Sequence, residues 1–197
     1  MSKIVIFGGA LNPPANHHVA IVKKLAEAFD KVIIIPSGVR SEKPSTSVIS
    51  PEHKKEMAKL AFQNIAGVKI DFYDLDNNIF TPHWMLNEKY RNQYPGAEIW
   101  FAVGGDIVVG GKTGDSEIQR LWQKGREIWN NLNYAVISPQ DYPVSFEDLP
   151  PKNVVIGLDK LVGRSTLIRK RLAGNLPIDD LAPVPVVKYI KKHNLYR

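Results

Sequence analysis

Six short strand-like runs punctuate this chain: 3–7 (KIVIF), 31–35 (KVIII), 68–72 (VKIDF), 97–103 (AEIWFAV), 133–137 (NYAVI) and 153–156 (NVVI). A strand with one wet face alternates apolar and polar residues. A strand covered on both faces reads as a near-continuous Val/Ile run, and several of these do. The stretches between them have helical character. Helices are predicted over 17–29, from Ser50-Pro51-Glu52 onward, between Thr81-Pro82 and Tyr94-Pro95-Gly96, over 115–131, over 165–172 and over 183–193. Ser50-Pro51-Glu52 combines a capping hydroxyl, a proline at the first helical position and an acid in the first turn. Alternating strands and helices predict an α/β fold: a single-domain, doubly wound (Rossmann-like) parallel sheet with helices on both faces, spanning 1–197. Ligands of such sheets bind at the carboxyl ends of the strands, where the strand order reverses.

Composition narrows the function. The chain has 197 residues, 44% hydrophobic and 23% charged, which is ordinary for a globular domain. It has no cysteine, so disulfides, thiolate nucleophiles and cysteine-bound metals are excluded. No apolar run approaches the roughly 20 residues of a membrane span, and no signal peptide is read at the N-terminus. A cytoplasmic protein without a membrane partner is expected. The net charge of +6 suits either nucleic acid or a small polyphosphate. No basic stripe interleaved with aromatics appears, so no nucleic-acid partner is expected. A homo-oligomer stays open.

Three loops stand out. Residues 36–50 carry Arg40 and Lys43, residues 107–116 are glycine-rich and read as mobile, and residues 138–152 hold four prolines and read as a surface excursion.

The first strand breaks into Gly8-Gly9-Ala10-Leu11-Asn12-Pro13-Pro14-Ala15-Asn16-His17-His18, after which an amphipathic pattern begins. A loop that opens a helix after a buried strand presents free N–H groups and the positive dipole end, which favour an anion. His18 is read as the functional imidazole of the pair, donating to a phosphate oxygen. The glycine pair implies close backbone approach, but it is neither a GxGxxG fingerprint nor a P-loop. Gly163-Arg164-Ser165-Thr166-Leu167-Ile168-Arg169 opens another helix after a strand. There Ser165 or Thr166 is predicted to cap the helix while facing an anion, with Arg169 one turn on; an ordinary capped helix with a basic face is the plainer reading. Gly104-Gly105-Asp106 ends the fourth strand, a common place for a carboxylate that binds ribose hydroxyls or a metal-bound water. Trp122 and Trp129 read as core or interface, with one available to stack on a flat ring.

Taken together these residues resemble the nicotinate- or nicotinamide-mononucleotide adenylyltransferases of the HxGH-type nucleotidyltransferase superfamily. Residues 8–18 are similar to the family's GGxFxPxHxGH, Glu42-Lys43-Pro44 to its HKP loop, and 50–61 to the helix after it. Phe80-Thr81-Pro82 resembles its Y-T element, Val103-Gly104-Gly105-Asp106 its G-x-D, and Arg164 to Arg169 its SSTxIR. The C-terminal stretch from Pro183 to Tyr196 also matches. The resemblance implies that the phosphate of a pyridine mononucleotide attacks the α-phosphorus of ATP and pyrophosphate leaves. His18 and Arg169 are then the catalytic residues. Gly8, Gly9, Ala10, Lys43, Gly104, Asp106, Arg164, Ser165 and Thr166 bind ATP and its phosphates, Thr81, Trp84 and Trp122 bind the acceptor, and Mg²⁺ is carried by the ATP phosphates rather than by a protein metal site. The chain departs from the motif at two places. Ala15 stands where the first histidine belongs, and His17 where the glycine belongs. A sister adenylyltransferase with another phosphorylated acceptor, such as phosphopantetheine, and a non-catalytic nucleotide-binding relative stay open at this point.

Overall fold

The computed structural model describes residues 1–40, 48–159 and 163–196. Six strands form one parallel sheet: β1 (Lys3–Gly9), β2 (Lys31–Pro36), β3 (Val68–Ile70), β4 (Glu98–Gly104), β5 (Asn133–Pro139) and β6 (Asn153–Leu158). Their spatial order is β3-β2-β1-β4-β5-β6, every neighbouring pair parallel. Among the described residues eight helices accompany them: α1 (Asn16–Ala28), α2 (Pro51–Phe62), α3 (Tyr73–Asp76), α4 (His83–Gln93), α5 (Glu117–Leu121), α6 (Gly125–Asn131), α7 (Ser165–Ala173) and α8 (Val184–Lys192).

The continuous apolar runs follow from the layering. Along β1, Ile4 and Ile6 join one core with Leu86, Tyr90, Phe101 and Trp129. Val5 and Phe7 join the opposite core with Val22, Leu25, Ala58 and Phe62. Successive side chains point to opposite faces, so a strand buried twice needs an apolar residue at every position. A third cluster gathers around the C-terminal helices. There α7 and α8 contribute Ile168, Leu172, Val186 and Ile190, packed with Ala15 and Met57.

The predicted helix over 115–131 is instead two helices. Ser116 caps α5 by accepting from the Gln119 N–H, and α5 ends at Trp122 in an extended conformation. Lys124 then adopts a left-handed φ of 56° as the N-cap of α6. One non-glycine residue at positive φ is enough to break the helical path. The strand predicted over 68–72 stops at Ile70, because the Asp71 carboxylate turns the chain by accepting from the Tyr73 N–H and the Tyr90 hydroxyl.

The glycine-rich segment is built around two 3-10 turns, Gly105–Ile107 and Gly111–Thr113. The second docks on the turn Phe146–Asp148, with the Lys112 N–H donating to Asp148 Oδ1 at 3.2 Å. A Cβ at Gly111 meets the Asp148 carbonyl at 2.3 Å and the Trp129 ring at 2.7 Å, so this approach requires glycine.

Candidate active site

Strand order reverses between β1 and β4, and two cavities open there at the strands' carboxyl ends. They share Phe7, Gly9 and Gly104. One, of about 970 Å³, runs toward α1 and α7 and is lined by His17, His18, Arg164, Ser165, Thr166 and Arg169. The other, of about 450 Å³, runs toward α4 and α5 and is lined by Ser37, Arg40, Thr81, His83 and Trp122.

The first cavity is cationic and rich in donors. The N-cap of α1 is Ala15, which has no polar side chain; the imidazole of His18 takes over part of that task. Its Nδ1 accepts the Ala15 N–H at 3.0 Å, which places the proton of a neutral His18 on Nε2. His17 lies against it, with ring centroids 3.7 Å apart, and its Nδ1 donates to the Gly163 carbonyl. Burial, and the Arg164 charge beside it, hold the His17 pKa below the ordinary imidazole value although the bond to Gly163 opposes them.

Helix α7 begins with Arg164 as N-cap, not with a Ser or Thr cap as predicted, and no side chain caps it. Ser165 is already the first helical residue, and its hydroxyl donates to the Pro13 carbonyl at 2.9 Å. Arg169 donates to the Asn12 carbonyl at 2.6 Å and to the Thr166 hydroxyl at 3.4 Å. These bonds fasten α7 to the loop after β1. The first-turn N–H groups of α7 therefore have no helical acceptor and no side-chain cap, as an anion requires. Gly163, at φ +80°, makes the turn into α7, and a Cβ there meets the Leu181 carbonyl at 2.4 Å.

The far wall comes from β4 and β5. Asp106 folds back so closely that a Cβ on Gly104 would lie 2.3 Å from its Oδ1. Pro139, Asp141, Tyr142, Pro143 and Val144 complete the wall. The sequence presents this segment as a surface excursion, and its composition carries no signal of a binding role. Among the described residues, no group of three or more His, Cys, Asp or Glu gathers to hold a metal, and no helix is long and apolar enough to cross a membrane.

The second cavity is aromatic. The His83 ring lies between Phe101, at 4.8 Å, and Trp122, at 4.4 Å. Burial, with the Arg40 charge nearby, pushes its pKa down to about 4, so it is neutral at physiological pH. Trp122 sits at the break between α5 and α6, its Nε1–H donating to Glu117 Oε1 at 3.2 Å. Thr81 is buried and fixed by Asp74, which accepts its N–H at 3.0 Å and its hydroxyl at 2.5 Å. The Arg40 guanidinium lies 4.3 Å from the centre of the Phe80 ring.

Nearly all of the sequence-predicted residues thus converge. Gly8 and Gly9 end β1 at the cavity mouths, Ala10 lines the first cavity, and Thr81 and Trp122 line the second. Trp84 does not: it lines neither cavity. It packs against the α4-side core, its Nε1–H donates to Gln123 at 3.5 Å, and the Lys124 ammonium lies 4.2 Å from its ring centre. Lys43, with Glu42 and Pro44, lies outside the described residues. Sequence reasoning missed His83, one residue after the Thr81-Pro82 signal, and Ser37, one residue after β2. The buried Ser37 hydroxyl has no partner among the described residues.

A parallel sheet with a donor-lined cavity and an aromatic one meeting at its switch point defines a doubly wound α/β protein with its ligand site at the β1/β4 reversal. Comparison with known proteins gives the family. The chain belongs to the cytidylyltransferase-like family, whose model matches residues 6–171. Nicotinate-nucleotide adenylyltransferase of Bacillus subtilis (strain 168) is similar to it at 26% identity, covering 100% of this chain and 99% of its own. Among solved structures, Plasmodium falciparum nicotinic acid mononucleotide adenylyltransferase complexed with NaAD superposes with a TM-score of 0.79 at 21% identity. That match covers 100% of this chain and 98% of the other. The same enzyme complexed with APC gives 0.77 at 20% identity, with the same coverage.

Proposed function

We propose that this chain is a nicotinate-nucleotide adenylyltransferase. It joins ATP to the phosphate of nicotinate mononucleotide, giving the dinucleotide and pyrophosphate. The observation that carries this reading is the pair of unlike cavities sharing Phe7, Gly9 and Gly104. A reaction that joins two nucleotides through their phosphates needs two nucleoside pockets with one common mouth. The Bacillus subtilis relative carries the name of this activity and aligns end to end. An aromatic second cavity suits a pyridine ring better than a flexible acceptor such as phosphopantetheine.

In the mechanism, a phosphate oxygen of the mononucleotide forms a bond to the α-phosphorus of ATP. The bond from that phosphorus to the bridging oxygen breaks in line, and the electron pair leaves with pyrophosphate. The substrate supplies the nucleophile, so the protein contributes position and charge. His18 donates from Nε2 to a non-bridging phosphate oxygen, its ring held by the Ala15 N–H. Arg169, with Arg164 and the first-turn N–H groups at Ser165 and Thr166, holds the β- and γ-phosphates. Gly8, Gly9 and Ala10 let the phosphates pass close to backbone. Asp106 binds the ribose of ATP, beside Gly104. Thr81, Ser37 and Trp122 bind the acceptor, Trp122 by stacking. Nucleotidyltransferases generally take ATP with a divalent metal, and here Mg²⁺ comes as part of the nucleotide substrate.

Pyrophosphate release with ATP and a panel of acceptors tests the reading. Nicotinate mononucleotide should be the best acceptor. Release only with a non-pyridine acceptor, or binding of ATP without turnover of any acceptor, would contradict it.

A further inference from the structure

We propose that His17 engages the nucleotide phosphates as an imidazolium, so that nucleotide binding takes up a proton at this residue. The inference rests on the reading of the first cavity as the ATP-phosphate site. It starts from the two ring nitrogens that the fold has already committed. A carbonyl only accepts, so the bond to Gly163 requires a proton on His17 Nδ1. A neutral His17 then carries a bare lone pair on Nε2, which repels a phosphate oxygen. Protonated, the same nitrogen is a charge-assisted donor.

His18 behaves in the opposite way. Its Nδ1 accepts a backbone N–H, so it presents an Nε2 donor while neutral. Protonating Nδ1 would place two N–H groups head to head and lose that bond. The two rings are only 3.7 Å apart, which disfavours charging both. The pair therefore has one imidazole whose Nδ1 is committed as an acceptor and one able to take a proton without losing a bond, and the latter is His17.

Position 15, two residues before His17, offers no competing cation. Ala15 is fully buried in the apolar cluster of Met57, Ile168 and Leu172 and presents no polar group. His17 lines the cavity beside Arg164 and Arg169 of α7 and His18 of its own helix, with Asp106 and Asp141 on the opposite wall. The Arg164 charge and burial favour the neutral form before binding. A triphosphate reverses the sign of the local charge and raises the pKa. Proton uptake thus occurs between the lowered value of the free protein and the raised value of the complex. The affinity owed to His17 is full below the lower value and is lost as pH rises through the upper one. Each pKa unit of that rise is worth about tenfold in affinity.

The test is calorimetric titration of Mg-ATP into the parent protein and the His17→Asn variant at neutral pH, in buffers of different ionisation enthalpy. Asparagine keeps an N–H for the Gly163 carbonyl but cannot titrate. The parent should take up more protons per nucleotide than the variant, and only the parent should lose affinity steeply as pH rises. Equal uptake in both would overturn the inference while leaving the function intact. Nucleotide binding by neither would overturn both. As a check free of any variant, ring ¹⁵N shifts of His17 in the parent should report protonation of Nε2 when inorganic tripolyphosphate binds; an unchanged ring would overturn the inference.

Discussion

At the residue scale, two adjacent imidazoles in one cavity differ in chemistry through the bond each makes at Nδ1. His18 accepts at Nδ1 and so carries its N–H on Nε2 when neutral; His17 donates at Nδ1 and has an N–H on Nε2 only when protonated. Their order in the motif singled out His18, but only the hydrogen bonds separate the roles. If His18 donates to the reacting phosphates, His18→Ala should lower kcat/KM by a factor equivalent to on the order of 2–3 kcal/mol of transition-state stabilisation. Steady-state kinetics with ATP varied gives the number, and parent-like kcat and kcat/KM would remove His18 from the mechanism. His83 shows the limit of local reading. It follows a helix-start signal as an ordinary first-turn residue, yet lies against Phe101 and Trp122 because β4 and the end of α5 bring those rings to it.

At the scale of elements, phosphate binding was legible and acceptor binding much less so. An anion needs particular chemistry at a helix start, and 8–18 and 163–169 announce it by glycine, histidine, hydroxyl and arginine within a few residues. The acceptor cavity is built from contacts between distant elements. Trp122 is available there because Lys124 breaks the helix predicted over 115–131, and Lys124 carries no compositional mark of a left-handed residue. Trp84 has the same composition and a helix-start neighbourhood, yet α4 turns it into the core side. Trp122→Ala should therefore raise the KM for the mononucleotide severalfold and change the KM for ATP much less. Loss of a stacked aromatic contact is worth about 0.5–1.5 kcal/mol beyond its area. An equal effect on both substrates, read by varying each in turn, would mean that Trp122 supports the fold rather than the acceptor.

At the scale of the whole molecule, the C-terminal segment closes on the loop after β1. Arg169 and Ser165 of α7 reach the Asn12 and Pro13 carbonyls, the Asn16 N–H donates to the Leu181 carbonyl at 2.9 Å, and the Tyr196 hydroxyl bonds to Asn12 Oδ1. Residues more than 150 positions apart in sequence thus shape one phosphate cavity. The sheet itself could be read from the apolar runs, since burial on both faces forces their composition. The wall formed by Pro139 to Val144 could not, since a proline-rich loop that covers a nucleotide has no pattern different from one that covers nothing.

The central claim is that the two cavities at the β1/β4 reversal hold the two halves of one dinucleotide. A crystal structure with the nicotinate dinucleotide product tests it most directly. The account predicts adenosine against Asp106 and residues 139–144, the bridging phosphates over Gly9 and Gly104 within reach of His18, and the pyridine ring beside Trp122 and Thr81. A product bound wholly within one cavity, or away from β1 and β4, would contradict it.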